Sequence, residues 1–162
     1  MKILVNKFMC QNIKLDNTCK KAIDDYFNAI DKLKKLGIVR SKNTVGDIGE
    51  FLCTVAYPEL RLDSKKTTEG YDAILDEKKI QIKYRNSQDG NNIDLGFPEK
   101  YNEIIVVLGI DSAHRMIGDS DEDFLFYRFT SQEVKDHMVM PSGKKYSLSK
   151  TKHIRPAEKT MS

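Results

Sequence analysis

Three side chains near the middle of the chain have the types and the spacing for cation-assisted chemistry. Asp72 begins one short apolar run, and Gln81 and Lys83 lie in the next. Carboxylate and amide oxygens bind hard divalent cations. An ammonium group beside them can orient a water molecule and stabilise developing negative charge. The three groups together are suited to metal-assisted hydrolysis of a phosphodiester bond.

These residues are predicted to lie on a β-hairpin, because two hydrophobic runs flank a polar cluster at 76–79. If the loop has an even number of residues, either 77–78 or 76–79, Asp72 lies opposite Lys83. Gln81 then projects from the same face, since side chains alternate along a strand. The other face carries the apolar side chains that a core requires, namely Ala73, Leu75, Ile80 and Ile82. An odd-numbered loop would place Asp72 and Lys83 on opposite faces.

The same hairpin also fits a purely structural interpretation. Asp72 opposite Lys83 would form an ordinary cross-strand ion pair, which stabilises a sheet by about 0.2–1 kcal/mol. The hairpin alone leaves both interpretations open, so the choice depends on the rest of the chain.

Composition and length predict one domain with a core of ordinary size. The chain has 162 residues, of which 40% are hydrophobic and 31% are charged. It contains no apolar run of membrane-spanning length. Three widely spaced cysteines without a Cys-x-x-Cys pair predict neither a disulfide framework nor a zinc site. The three histidines form no metal-ligand pattern, and we expect a cytoplasmic protein in a reducing compartment.

The apolar periodicity predicts an α/β layered domain. The expected order is a helix at 16–37, a helix at about 44–56, a strand at 60–62, the hairpin, at most a short helix near 98–101, a buried strand at 104–110, a strand at 124–129 and a helix to about 138. Thr44 with Asp47, and Thr130 with Glu133, are predicted to form capping boxes at the start of two helices. We expect one domain over 1–162, with a helical N-terminal extension at 1–40, a core at about 43–140 and a basic segment at 141–162.

Glu50 is the polar residue of interest in the second helix, because it lies off the apolar stripe. Gly46 and Gly49 are poor helix formers, so their presence indicates that another backbone approaches this helix closely. Taken alone, Glu50 also fits a surface position on an amphipathic helix.

Positive charge is concentrated at the C-terminal end. The chain carries a net charge of +3, and six cations against Glu158 give residues 141–162 a local charge of about +5. The expected phosphate contacts are Arg85, Lys144, Lys145, Lys150 and Lys152. These contacts would give affinity without reading bases. A solvated tail fits the same composition.

The order of these residues resembles the PD-(D/E)xK nuclease superfamily, which includes many restriction endonucleases. The resemblance covers about Thr44 to Ile110 and rests on Gly49-Glu50, Gly70-Tyr71-Asp72 and Gln81-Ile82-Lys83. It implies an α/β, restriction-endonuclease-like core with a mixed central sheet flanked by helices. It also implies an endonuclease that uses Mg²⁺ or Mn²⁺ to cut double-stranded DNA, acting as a homodimer.

The residue types suit this reaction. Asp72 would be the main metal ligand, while the Gln81 amide oxygen and the Ile82 carbonyl would be neutral ligands. Glu50 would bind directly or through water, and Lys83 would orient the attacking water. Gln81 stands where many members have an acid, which weakens metal binding unless Glu50 supplies the second carboxylate. The alternatives are a nucleic-acid-binding module that keeps the fold without activity, and an α/β interaction domain in which Asp72–Lys83 is an ion pair.

Overall fold

The computed structural model describes residues 13–64, 70–90, 92–115, 121–150 and 155–162. The chain divides into two compact units, Met1–Gly37 and Ile38–Ser162. Among these described residues, no helix is long and apolar enough to cross a membrane.

The first unit contains a single described helix, α1 (Asn17–Lys35). The Asp16 side chain begins it by accepting hydrogen bonds from the backbone of Thr18 at 2.9 Å and of Cys19 at 3.2 Å. None of its residues is buried. The apolar stripe that predicted the helix remains solvent-exposed, with Tyr26 59% and Phe27 63% accessible.

The second unit is built around a six-stranded mixed sheet in the order β1-β2-β3-β5-β6-β8. Strands β3 and β5 are parallel, and every other neighbouring pair is antiparallel. The elements are α2 (Thr44–Ala56), β1 (Arg61–Leu62), β2 (Ala73–Leu75), β3 (Lys78–Arg85), β4 (Ile93–Asp94), a 3-10 helix (Pro98–Lys100), β5 (Glu103–Gly109), β6 (Phe124–Thr130), α3 (Ser131–His137), β7 (Ser147–Leu148) and β8 (Lys159–Met161). The predicted α/β class with a mixed sheet is confirmed.

The sheet is covered on both faces. Strand β5 is buried along its whole length, as its continuous apolar sequence predicts. On one face α2 contributes Leu52 and Cys53 to a core with Ile105 and Phe126. On the other face, a second core contains side chains from the 86–102 crossover, α3 and β7, including Leu95, Val134 and Leu148.

The hairpin has the predicted faces but a different register. Its loop is the two-residue turn Asp76–Glu77, and Ala73 pairs with Ile80. Both turn residues have positive φ, 50° and 63°, which is the backbone of a tight hairpin turn. The prediction that Asp72 lies opposite Lys83 is wrong, because this turn shifts the pairing by two residues and aligns Asp72 with Gln81. A shift of two keeps each side chain on its face, so the buried set Ala73, Leu75, Ile80 and Ile82 is confirmed.

Helix α2 lies directly on β3. An ideal Cβ built on Gly49 would lie 2.5 Å from the Tyr84 Cβ, so the close approach predicted from the glycines is confirmed at this position. The predicted Thr44–Asp47 capping box is wrong. The N-cap is Asn43, whose side chain accepts from the Gly46 backbone at 3.2 Å.

The C-terminal segment is partly incorporated into the fold. Strand β7 pairs with β4, and β8 pairs with β6 at the edge of the main sheet. The Thr130–Glu133 capping box predicted for α3 is confirmed. The crossover between parallel strands β3 and β5 contains β4 and the 3-10 helix but no α-helix among its described residues.

Candidate functional site

Asp72 lies at the point where β2 stops covering β3. Because β2 begins at Ala73 while β3 continues to Arg85, the backbone N–H of Ile82 has no strand partner on this side. Asp72 Oδ2 accepts from this N–H at 2.8 Å. The Asp72 backbone is also held, since its carbonyl accepts from the Asp63 N–H at 2.9 Å. The fold therefore fixes the Asp72 carboxylate at the edge of β3.

Gln81 brings a second oxygen-bearing group to the same point. Its Nε2 donates to Asp72 Oδ2 at 2.6 Å and approaches the Ile82 carbonyl oxygen at 3.4 Å. Two acceptors thus converge on the terminal amide of Gln81. Rotation of this amide would present Oε1 instead of Nε2, since the two ends have nearly the same shape.

This arrangement fits a divalent cation held by one carboxylate and neutral oxygens. A rotated Gln81 Oε1, Asp72 Oδ2 and the Ile82 carbonyl are all ligand types that Mg²⁺ or Mn²⁺ accepts. Within the described part of the chain, no group of three His, Cys, Asp or Glu side chains is suited to hold a metal. A cation would therefore need the neutral oxygens and water as well as Asp72.

Glu50 approaches this site from α2. Its Oε2 accepts from Arg40 Nη2 at 2.6 Å, and its side chain is 14% accessible. Burial raises the pKa of the Glu50 carboxyl. The Arg40 hydrogen bond opposes this rise, and the negative charge of Asp72 adds to it. The two carboxylates therefore act on one another electrostatically, with Glu50 also bound to a cation of the protein.

A cavity of about 320 Å³ lies between these groups. It is lined by Arg40, Ser41, Lys42, Asn43, Glu50, Asp63, Tyr71 and Asp72. Among the described residues of this lining, two cationic side chains thus lie with three carboxylates.

Lys83 is not brought into this cavity. It is half-buried on β3, two residues beyond Gln81, and the described residues provide it with no hydrogen bond or ion pair. The Asp72–Lys83 ion pair of the structural interpretation is therefore not formed. Alternation along β3 still places Lys83 on the Gln81 face of the strand, away from α2.

The predicted phosphate-contacting residues lie in two places. Arg85 Nη2 approaches the Asn92 carbonyl at 3.5 Å, and the Lys150 ammonium lies against Gly90, so both flank the loop that follows β3. Lys144 and Lys145 are exposed on the turn before β7. Lys152 lies outside the described residues.

A second polar cluster is paired internally. Glu103 is buried and binds Lys78 at 2.6 Å and also Arg128. Arg128 also approaches Glu158 at 3.8 Å, and Tyr57 donates to Glu158 at 2.8 Å. Because these charges already satisfy one another, the cluster has a structural role at the end of the sheet.

Sequence reasoning did not identify Arg40, Lys42 or Asp63. Arg40 belonged to the predicted N-terminal extension, and Asp63 follows a two-residue strand with little pattern of its own. Asp47 anchors the segment that contains Arg40, but its sequence context carries no usable signal, because a carboxylate in the first turn of a helix is ordinary. Its burial and its hydrogen bonds to that segment are seen only in the structure.

A comparison with models of known protein families gave no match. A comparison of the sequence with curated proteins gave none either.

Proposed function

We propose that this protein is a metal-dependent endonuclease that hydrolyses DNA phosphodiester bonds on a restriction-endonuclease-like core. The observation that supports it most is the convergence of Asp72 Oδ2 and the Ile82 carbonyl on the terminal amide of Gln81. One carboxylate and two neutral oxygens at one point form a ligand set for Mg²⁺ or Mn²⁺.

Each residue then has a defined task. Asp72 would hold the cation, and a rotated Gln81 Oε1 and the Ile82 carbonyl would be further ligands. A bound divalent cation polarises the phosphate and lowers the pKa of a bound water. Lys83 lies on the same face of β3 and has no partner among the described side chains, so it would orient the attacking water and stabilise the developing charge. Glu50 would add negative charge across the cavity and would bind the cation directly or through water.

Arg85, Lys144, Lys145, Lys150 and Lys152 supply phosphate contacts in this proposal. These contacts position double-stranded DNA without reading its sequence. Cutting both strands would require two sites, which makes a homodimer the proposed assembly.

One observation supports a second candidate, a nucleic-acid-binding module without activity. Gln81 Nε2 donates to Asp72 Oδ2 at 2.6 Å, so the carboxylate is satisfied by the protein itself. An acid at position 81 would instead repel Asp72 unless a cation lay between them. The amide therefore suits a site that no longer requires a cation.

Plasmid cleavage distinguishes the two candidates. Supercoiled plasmid is incubated with the protein in Mg²⁺, in Mn²⁺ and in EDTA, alongside the variants Asp72→Asn and Lys83→Ala. We expect nicked or linear product with either metal and none in EDTA. Each variant should lower the rate by at least about 10²-fold. Asp72→Asn retains an acceptor for the Ile82 N–H, which limits its effect on folding.

Asp76→Asn is the matched control. Asp76 is exposed on the hairpin turn at positive φ, where asparagine is well tolerated, so this variant should cleave like the wild type. Cleavage that persists in EDTA or in Asp72→Asn would contradict the mechanism. DNA binding with no cleavage in either metal would favour the inactive binding module.

A further inference from the structure

The segment immediately before α2 is held in place by Asp47. Asp47 is buried, and its Oδ2 accepts from the backbone N–H groups of Arg40 at 2.7 Å and Ser41 at 2.6 Å. Its Oδ1 accepts from Ser41 Oγ at 3.1 Å. Three hydrogen bonds to one carboxylate fix the backbone from which the Arg40 side chain enters the cavity.

Arg40 has binding capacity beyond Glu50. A guanidinium carries five N–H donors in a planar fork, and the contact of Arg40 with Glu50 joins Nη2 to one carboxylate oxygen. Arginine suits phosphate because its parallel N–H groups match two phosphate oxygens. The remaining donors of Arg40 are positioned at the cavity wall.

Lys42 adds a second cation to the same wall. Its side chain is exposed and lines the cavity, and no described residue forms a hydrogen bond or ion pair with it. The Lys42 side chain can therefore turn toward a ligand without breaking a hydrogen bond or an ion pair with any described residue.

The described lining of the cavity contains cations and carboxylates together. Arg40 and Lys42 line it with Glu50, Asp63 and Asp72. A phosphate bound by Arg40 and Lys42 would therefore lie in the same cavity as the carboxylate that is proposed to hold the cation.

We infer that Arg40 and Lys42 form a phosphate-binding wall that positions the backbone of the nucleic acid opposite Asp72. This inference rests on the proposed function and deepens it, by naming two positioning residues from a segment with no predicted role. Binding draws the Arg40 guanidinium toward phosphate while Asp47 holds its backbone in place.

The test is equilibrium binding of a fluorescent 30-base-pair duplex in Mg²⁺ over a series of salt concentrations. All variants are made in a Lys83→Ala background, so that the duplex is not cleaved during the measurement. We expect Arg40→Gln and Lys42→Gln each to weaken binding about tenfold at low salt. Each lost contact should make the slope of log K against log salt shallower by about 0.9.

Lys135→Gln is the matched control, because Lys135 is exposed on α3, outside the cavity, and forms no ion pair with a described residue. It removes the same charge and should change affinity by less than twofold. Arg40→Gln also breaks the contact with Glu50, so the Tm of this variant is measured as well. Lys42→Gln loses no such contact, and its Tm should equal that of the parent.

The outcomes separate this inference from the proposed function. If Arg40→Gln and Lys42→Gln bind like Lys135→Gln, or the parent does not bind the duplex, the phosphate wall is refuted even if the wild type cleaves DNA. If both variants bind the duplex more weakly and with a shallower salt dependence while the wild type cleaves nothing in either metal, the phosphate-binding wall is supported and the nuclease proposal fails.

Discussion

Gly49 and Tyr84 are in backbone-level contact across the α2–β3 interface. An ideal Cβ at position 49 would lie 2.5 Å from the Tyr84 Cβ, too close for any rotamer change to relieve. This contact sets how deeply α2, which carries Glu50, lies on the strand that carries Gln81. The spacing between helix α2 and strand β3 at the site thus depends on the absence of a Cβ atom at Gly49.

Gly49→Ala should therefore destabilise the protein. Alanine gains about 1 kcal/mol of helix propensity, but overpacking of this kind costs about 1–3 kcal/mol. The 2.5 Å separation of the two Cβ atoms places this change at the upper end of the overpacking cost, so we expect a net loss of about 1–2 kcal/mol in the free energy of unfolding, measured by urea denaturation. Val55→Ala, on the exposed side of the same helix, should change it by less than about 0.5 kcal/mol. A Gly49→Ala protein as stable as the wild type would contradict the contact.

Gln81→Glu should make stability depend on metal. The substitution removes the Nε2 donor and places a second carboxylate beside Asp72, so we expect a lower Tm in EDTA from like-charge repulsion. Mg²⁺ or Mn²⁺ should restore it, with a larger metal-induced rise than in the wild type. Gln88→Glu, an exposed site with the same charge change, should show neither effect. An equal metal response in Gln81→Glu and wild type would argue against a cation at this point.

Glu103 should contribute to acid unfolding. Its burial would raise the pKa of the carboxyl, but hydrogen bonds from Lys78 and Arg128 outweigh this and lower the pKa below 4.5. The native state then binds fewer protons than the unfolded state, so this contribution is present above pH 4.5 and is lost as pH falls through the folded-state pKa. Glu103→Gln should remove this acid-dependent loss. It should also lower stability at pH 7 by about 1–3 kcal/mol, because Arg128 loses its nearest carboxylate.

Urea unfolding measured from pH 7 down to pH 3 tests this prediction. The stability difference between wild type and Glu103→Gln should narrow as pH falls. A constant difference across the range would show that Glu103 does not titrate with a lowered pKa.

Cys53 should be chemically inert in the folded protein. It is fully buried, and burial, reinforced by the charges of Asp72 and Glu50, raises the pKa of its thiol. In a Cys10→Ser background at pH 8, a disulfide reagent should modify exposed Cys19 at once. Cys53 should react only at the rate of unfolding. Two rapid equivalents would indicate that the α2–β3 core opens locally.

The elements with strong local patterns were predictable from the sequence. Helix α2 has the predicted bounds of 44–56, and β5 was recognisable because a continuous apolar run of strand length is typical of a strand buried on both faces. The apolar face of the hairpin was also predictable, since alternation survives any even shift in register.

The hairpin register was not predictable from its pattern. The turn is Asp76–Glu77 with both residues at positive φ, a backbone for which Asn-Gly or Asp-Gly is the usual sequence signal. Without that signal, a turn at 76–77 and the loops at 77–78 or 76–79 all keep the apolar side chains on one face. Only the turn at 76–77 aligns Asp72 with Gln81, whereas the other two align it with Lys83, so the predicted partner of Asp72 was wrong.

The cavity required knowledge of contacts between distant segments. Arg40, Asp63 and Asp72 come together because Asp47 anchors the segment before α2 and β1 pairs with β2. Neither the Asp47 hydrogen bonds nor the β1–β2 pairing can be predicted from local periodicity. The sequence therefore indicated the acids at positions 50 and 72 but not the cations that face them.

The two outermost strands of the main sheet, β1 and β8, have only two and three residues, and this bears on self-association. Strand β8 has three residues and covers the seven-residue, largely apolar β6. A short, partly charged edge offers little template for pairing with another molecule, whereas a long apolar edge invites it. Removing residues 155–162 would leave β6 at the edge, and we expect such a truncated protein to aggregate where the full chain stays dispersed in light scattering.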